Sequence, residues 1–393
     1  MKPAKGRHTN AKETRTRKPS ESPPASQYPV VCVVGVGLIG GSLALALRRS
    51  GFRGQILGVS RPATLREARR LQAIDKGFPY GDLTRAARLA DLIVLASPIS
   101  AILEHLRLLG RKPNCLRPGT VVTDVGSTKR AILRSAVKSL PPHAVFIGGH
   151  PLAGSEQSGI AAADPFLFQN AYYVLTPAPG TPGDEVERLS SFLSLTGARM
   201  LVLSAEDHDR TAATISHLPQ LLAVSLVRLL DDLGSNREHG IRLAAGGFRD
   251  MTRIASSPYS VWRDILKTNG DLIEAVVERF LRAARASFKG LREDRVRTDF
   301  EKAARTRTEI PRDSKGFLHR LCDVLVVVED RPGTIAEVSV PLSKRHINIK
   351  DIEILKVREG EAGTLRLAFE NEAEARKAID LLAKEGFSAR LRE

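Results

Sequence analysis

The feature that most constrains this chain is the segment beginning at Val30. An apolar run, Val30–Val34, leads directly into Gly35-Val36-Gly37-Leu38-Ile39-Gly40. A segment with Leu43, Leu45 and Leu47 follows, and a second apolar run covers Gln55–Val59. A GxGxxG string alone arises easily by chance. Between a strand and a helix, with another strand about 20 residues on, it marks a dinucleotide-binding βαβ unit. Gly35 permits the tight turn. Gly37 lets backbone approach a pyrophosphate, and Gly40 lets the helix pack on the strand. The helix start at Leu38 and Ile39 then offers N–H groups and a positive dipole end to the phosphates.

Apolar runs recur at residues 92–96, 120–123, 145–147, 173–175 and, more weakly, 200–203. They alternate with helical segments. Such continuous apolar strands imply an α/β fold, a doubly wound parallel sheet covered on both faces. After about residue 204 the strand signals stop, and helices are expected over 206–230, 241–254, 258–267 and 271–292, with a kink at Pro219. Residues 293–316 are charged and read as a linker or an exposed helix. From residue 321 a βαββαβ order follows: strand 323–329, helix 334–345, strand 347–356, strand 364–370, helix 372–385 and a short last strand. That order is ferredoxin-like. The expected organisation is a disordered basic tail (1–28), a Rossmann domain (29–204), an all-α domain (205–316) and a small α+β domain (321–393).

The chain has 393 residues and a net charge of +16, so anionic partners are favoured. Part of that excess lies in the first 29 residues, which hold seven Lys or Arg against two acids. Aromatic residues make up only 5% of the chain, which supplies a nucleic-acid stacking surface poorly. No helix-turn-helix or zinc pattern supports nucleic acid as a partner, and small anionic molecules explain the charge equally well. The three cysteines, Cys32, Cys115 and Cys322, are scattered and form no metal-ligand spacing. They fit a reducing, cytoplasmic setting, and no metal is expected. No stretch approaches the roughly 18–20 apolar residues of a membrane span, so no membrane partner is expected.

In open α/β sheets ligands bind beyond the carboxyl ends of the strands. Three such ends carry polar groups: Ser97-Pro98, the segment 124–129 and the segment 148–156. His150 stands after a strand, between two glycines and a proline, where a held backbone can project the imidazole into the cleft. Ser127 can orient that imidazole, touch the substrate or cap the following helix. Ser97 is placed beside the cofactor. The end of the second strand bears Ser60-Arg61 rather than an acid that would bind the ribose of NAD. An Arg can pair with a 2′-phosphate, so NADP is favoured over NAD.

Residues 35–42 (GVGLIGGS), 123–129 (TDVGSTK), 148–156 (GGHPLAGSE), 215–219 (ISHLP) and 246–255 (GGFRDMTRIA), with Trp262-Arg263-Asp264, resemble the prephenate/arogenate dehydrogenase family. The resemblance covers about residues 30–269. It implies a Rossmann domain followed by a helical dimerisation domain, hence a homodimer. It also implies oxidative decarboxylation of prephenate, with hydride transfer to NAD or NADP. His150 matches the catalytic histidine, and Ser127 the serine that positions the ring hydroxyl. Arg253 matches the arginine that binds the ring carboxylate, and Ser155 and Glu156 the active-site loop. His217 falls in a helix that lines the pocket. Gln220 stands where some members have a second histidine, which leaves prephenate and arogenate both open as substrate. A β-hydroxyacid dehydrogenase is a second reading, but such enzymes would be expected to use a lysine of the helical domain. A non-enzymatic nicotinamide sensor would give His150, Ser127 and Arg253 no shared purpose. The C-terminal part resembles an ACT domain, a small-molecule-binding regulatory module. The resemblance places an effector, with L-tyrosine as the expected ligand, at Asp330, Pro332 and Gly333 and at the neighbouring Asn348 and Ile349.

Overall fold

The computed structural model describes residues 27–154, 157–290, 296–309, 321–329, 331–356 and 362–392. The chain divides into two compact units, residues 1–300 and 301–393.

Among the described residues of the first unit, eight strands form one sheet. They are β1 (Val30–Val34), β2 (Gln55–Val59), β3 (Lys76–Phe78), β4 (Leu92–Leu95), β5 (Val121–Asp124), β6 (Val145–Pro151), β7 (Tyr172–Pro177) and β8 (Arg199–Val202). Their order is β3-β2-β1-β4-β5-β6-β7-β8. Strands β1 to β6 pair in parallel, as the apolar runs predict. The join between β6 and β7 is antiparallel, with His150 opposite Val174, and β8 again runs parallel to β7. The three-residue β3 is too short for a hydrophobic pattern to announce it.

Successive residues of β1 serve opposite faces. Val31 and Val33 join one core with Leu43 and Leu47 of the helix Leu38–Arg49. Cys32 and Val34 join the other, with Ile102 and Leu106 of the helix Ile99–Arg111. That period of two, with both faces apolar, is what a sheet covered on both sides requires. Each fully buried Val or Leu contributes roughly 1.5–3 kcal/mol. Tyr28, assigned above to the tail, is instead 1% exposed and packs edge-on against Phe192 at 5.1 Å, so the fold starts before Val30. The rest of the expected tail falls outside the described residues, apart from Gln27.

The helical part departs in places from its expected boundaries. Residues 205–228 form one continuous helical run, close to the expected 206–230, with a π turn inside it. Ala205–Ala212 passes through a π turn, Ala213–His217, into Leu218–Arg228. Pro219 has no N–H to offer the carbonyl of Ile215, and the wider turn accommodates that loss. The segment 241–254 breaks into Arg237–Leu243, Gly246–Thr252 and Arg253–Ser256, with Gly246-Gly247 following the first break. Conversely, Tyr259–Gly290 is one long element with a local break at Asn269 (φ −128°). Its Ile265, Ile273 and Val276 enter the second core of the sheet, so this helix is anchored on the dinucleotide-binding part. The helix Val296–Glu309 has no buried residue, as a charged segment should.

In the second unit, β9 (Cys322–Glu329), β10 (Asp351–Lys356), β11 (Ala362–Phe369) and β12 (Ser388–Leu391) form an antiparallel sheet of order β10-β11-β9-β12. Val324, Val326 and Val328 of β9 pack with Val338 and Leu342 of the helix Thr334–Lys344 and with Leu382 of Glu372–Lys384. This is the ferredoxin-like βαββαβ arrangement. The third element is shorter than expected. Asn348 and Ile349 precede β10 instead of opening it, because pairing with β11 begins only at Lys350 and Asp351.

Candidate active site

Because β1 to β6 are parallel, their carboxyl ends share one edge of the sheet. The Gly-rich turn, Ser97, the segment 124–129 and His150 therefore lie along that edge.

The turn fits a dinucleotide. Gly35 has φ +93°, and a Cβ there would sit 2.6 Å from the carbonyl oxygen of Ala96 and from Ser97 Oγ. A Cβ on Gly40 would lie 2.2 Å from the carbonyl oxygen of Gly35, so the helix can approach only without it. On Gly37 a Cβ would meet no protein atom within 4 Å, which leaves that face open for a pyrophosphate. No side chain caps the helix that starts at Leu38, and its first turn holds no acid. The amides of Leu38, Ile39 and Gly40 are thus available to an anion. Ser97 Oγ donates to the carbonyl of Val34 at 3.3 Å, which ties the end of β4 to the turn. Ser60 is buried at the end of β2, while Arg61 is exposed and precedes the helix Pro62–Arg70.

His150 lies within β6 rather than after it. Its strand is fixed from below. The ammonium of Lys129, fully buried, contacts the carboxylate of Asp124 and donates to the carbonyl of Gly149 at 2.5 Å. Asp124 in turn accepts from the N–H of Gly149 at 3.1 Å and of Gly126 at 2.8 Å. A Cβ on Gly149 would fall 2.4 Å from the carbonyl oxygen of Asp124, so only glycine allows this approach.

The His150 imidazole does not stand alone. Its Nδ1 is 2.8 Å from Nε2 of His208, and Nδ1 of His208 is 2.8 Å from Oδ1 of Asp209. Asp209 is fully buried and also accepts the backbone N–H groups of Lys129 (2.7 Å) and Arg130 (2.9 Å). It thereby caps the helix Arg130–Ser139, a task sequence reading offered to Ser127. Burial raises the Asp209 carboxyl pKa, but the hydrogen bonds from His208, Arg130 and Lys129 outweigh it and hold the pKa below the usual value. Burial, reinforced by His208, Lys129 and His217, holds His150 well below the ordinary imidazole pKa. The imidazole is therefore neutral at neutral pH.

Of the other expected site residues, His217 lies beside this cluster. Ser127 is partly exposed on the loop between Asp124 and Lys129. His217, 2% exposed, lies 3.3 Å from Asn269 through Nδ1 and packs edge-on against Trp262. Burial lowers its pKa to about 4. Asn269 also donates to the backbone carbonyl of Asp209 at 2.9 Å, which links His217 to the helix that carries His208. Gln220 is buried one turn further on. Arg253 is exposed on Arg253–Ser256, which packs against the helix Leu218–Arg228. Ser155 and Glu156 lie outside the described residues, as does Asp330. Gly333, with φ +95°, precedes the helix Thr334–Lys344, and Asn348 is exposed. Sequence reading missed His208 and Asp209. The polar string Glu206-Asp207-His208-Asp209-Arg210, opening a helix read as apolar, was the available signal.

The comparisons with known proteins agree with this architecture. Residues 43–202 match the family model of the prephenate dehydrogenase nucleotide-binding domain, which begins just past the glycine turn. Residues 204–302 match the prephenate dehydrogenase dimerization domain, and residues 323–386 match the ACT domain. The chain is 35% identical over 363 residues to the prephenate dehydrogenase of Bacillus subtilis (strain 168), covering 88% of this chain and 94% of that one. Among solved structures it is similar to prephenate dehydrogenase from A. aeolicus in complex with hydroxyphenyl propionate and NAD+. That match has a TM-score of 0.65 at 30% identity and covers 71% of this chain and 97% of that one. Synechocystis arogenate dehydrogenase is similar at a TM-score of 0.63 and 31% identity, covering 71% and 98%. The chain belongs to the prephenate dehydrogenase family, a family of oxidoreductases with a nucleotide-binding domain.

Proposed function

We propose that this chain oxidises and decarboxylates prephenate to 4-hydroxyphenylpyruvate, with His150 as the base. The observation that carries this reading is the seating of His150. A rigid strand end holds an imidazole kept neutral by burial, at the edge where the dinucleotide turn opens. A bound nicotinamide supplies the hydride acceptor. Neutral His150 accepts the proton of the ring hydroxyl as hydride leaves the same carbon, which lowers the barrier to the developing carbonyl. Loss of the ring carboxylate as CO2 then feeds its electron pair into the ring, and aromaticity drives the step.

Ser127 positions the hydroxyl, and Arg253 grips the ring carboxylate through its planar guanidinium. Ser155 and Glu156 belong to the active-site loop, and His217 and Gln220 line the pocket. The neutral amide of Gln220 suits a keto or an amino side chain, so arogenate is the alternative substrate. Exposed Arg61 next to buried Ser60 favours NADP over NAD. Residues 29–204 would bind the dinucleotide, 205–316 the substrate and a second copy of the chain, and 321–393 an effector. L-tyrosine, which lies downstream of the product, is the effector we infer, bound near Pro332, Gly333, Asn348 and Ile349. The cytoplasm, where thiols such as Cys32 stay reduced, is the setting. Steady-state assays with prephenate and arogenate, each with NAD and NADP and with or without L-tyrosine, test all of these points. Turnover of arogenate alone would overturn the substrate assignment.

A further inference from the structure

The 2.8 Å contacts His150 Nδ1···His208 Nε2 and His208 Nδ1···Asp209 Oδ1 form an unbroken chain from the strand end to a buried carboxylate. An ionised carboxylate can only accept, so the hydrogen in the second contact sits on His208 Nδ1. In the form where both rings are neutral, Nε2 of His208 is then an acceptor. The hydrogen in the first contact must therefore sit on His150 Nδ1. This leaves Nε2 of His150 with its lone pair outward, the tautomer a base needs.

We propose that His208 and Asp209 are positioning residues that fix this tautomer and form a proton relay with His150. The inference rests on the reading of His150 as the base. The substrate O–H bond breaks, and an N–H bond forms at His150 Nε2. The N–H bond at His150 Nδ1 breaks as one forms at His208 Nε2. The hydride, with its electron pair, goes to the nicotinamide. Positive charge thus ends on His208, 2.8 Å from Asp209, rather than on His150. When CO2 leaves and the ring oxygen gains an electron pair, the same bonds form and break in reverse. The phenol recovers its proton, and the relay is reset within one turnover.

The surroundings of His150 favour such a displacement. The ammonium of Lys129 lies beneath its strand, donating to the carbonyl of Gly149. His217 lies on the π turn that follows the helix of His208. Tyr173, buried on β7, bears no charge at neutral pH. Asp124 is occupied by Lys129 and two backbone amides. Among the described residues, Asp209 is the carboxylate that contacts this chain of rings. Its two backbone hydrogen bonds from the start of the helix Arg130–Ser139 keep it ionised and in place.

Two measurements on the full-length protein test the proposal. The first is ring-nitrogen NMR of the ligand-free, nitrogen-15 histidine-labelled protein at neutral pH, with His150 assigned by His150→Asn. We expect His150 protonated at Nδ1 and bare at Nε2, and loss of that preference in His208→Phe. A wild-type His150 protonated at Nε2 overturns the relay, whatever the substrate. The second is kinetic. His208→Gln keeps an acceptor for His150 Nδ1 but cannot carry the proton onward. We expect kcat to fall about 10²-fold, with both KM values within about threefold. The dependence of hydride-transfer rate on solvent deuterium fraction should be bowed in the wild type and linear in His208→Gln. Wild-type kcat with an unchanged deuterium profile in that variant would also overturn the relay. If the wild type fails to turn over prephenate, the functional reading fails, and the nitrogen measurement still decides the tautomer.

Discussion

The carboxylate of Asp124 accepts the backbone N–H of Gly149 at 3.1 Å, across the gap between the ends of β5 and β6. Lys129 closes the ring, bonding that carboxylate and the carbonyl of Gly149 at once. The residue immediately before His150 is therefore held through both of its backbone polar groups. A base that must meet a hydroxyl at hydrogen-bond distance gains from such a mount, because small misplacements cost rate steeply.

Gly149→Ala tests the mount directly. A Cβ 2.4 Å from the carbonyl oxygen of Asp124 must push the two strands apart. We expect a loss of roughly 2 kcal/mol in urea denaturation, within the range for overpacking a filled site, together with a fall in kcat. Gly183→Ala, where a Cβ meets nothing within 4 Å, should change neither.

Lys129→Met should be more damaging. It leaves the Asp124 carboxylate buried without its cation, which typically costs about 3–5 kcal/mol. Adding Asp124→Asn to that variant should restore part of the loss. A single variant as stable as the wild type would show that the pair carries no structural weight.

Much of this was legible in the sequence because it is local. The strand–GxGxxG–helix string, the apolar runs of a sheet buried on both faces and the βαββαβ order all depend on neighbouring residues. The His208–Asp209 pair was not legible, because its partner His150 lies 58 residues away and only the antiparallel return through β7 and β8 brings the two together. The π turn before Leu218 was hidden for another reason. A proline signals a disturbed helix but not which wider or tighter turn absorbs it. Asn269 reads as an ordinary helical polar residue. Its contacts with Asp209 and His217 exist only because the long helix Tyr259–Gly290 packs against the helical run 205–217 there.

The buried histidines also make stability depend on pH. His217 has its pKa lowered from 6.5 to about 4, and His150 is lowered as well. As pH falls below about 6.5, the unfolded chain takes up protons on these rings while the folded chain does not. The unfolded state is then favoured, so stability is full above pH 6.5 and declines towards pH 4. His217→Gln removes its share of that decline. Relative to wild type, the variant should gain roughly 1–3 kcal/mol between pH 7 and pH 4, read from denaturation midpoints. A constant difference across that window would contradict the assignment.

In the proposed reading, cofactor choice turns on two adjacent residues. Arg61→Ala should lower kcat/KM for NADP about tenfold, the loss of one charge-assisted contact, and leave NAD nearly unchanged. Ser60→Asp should shift preference towards NAD by repelling a 2′-phosphate. Equal effects of Arg61→Ala on both cofactors would place that side chain away from the 2′ position.

The most direct test is product stoichiometry for the wild type and His150→Asn. Prephenate is supplied with oxidised cofactor, and reduced cofactor, CO2 and 4-hydroxyphenylpyruvate are counted together. We expect the three in equal amounts from the wild type. In His150→Asn we expect the same products formed roughly 10²–10⁴-fold more slowly, with cofactor affinity retained. Near-wild-type turnover in that variant, or cofactor reduction without CO2 in the wild type, would contradict oxidative decarboxylation at His150.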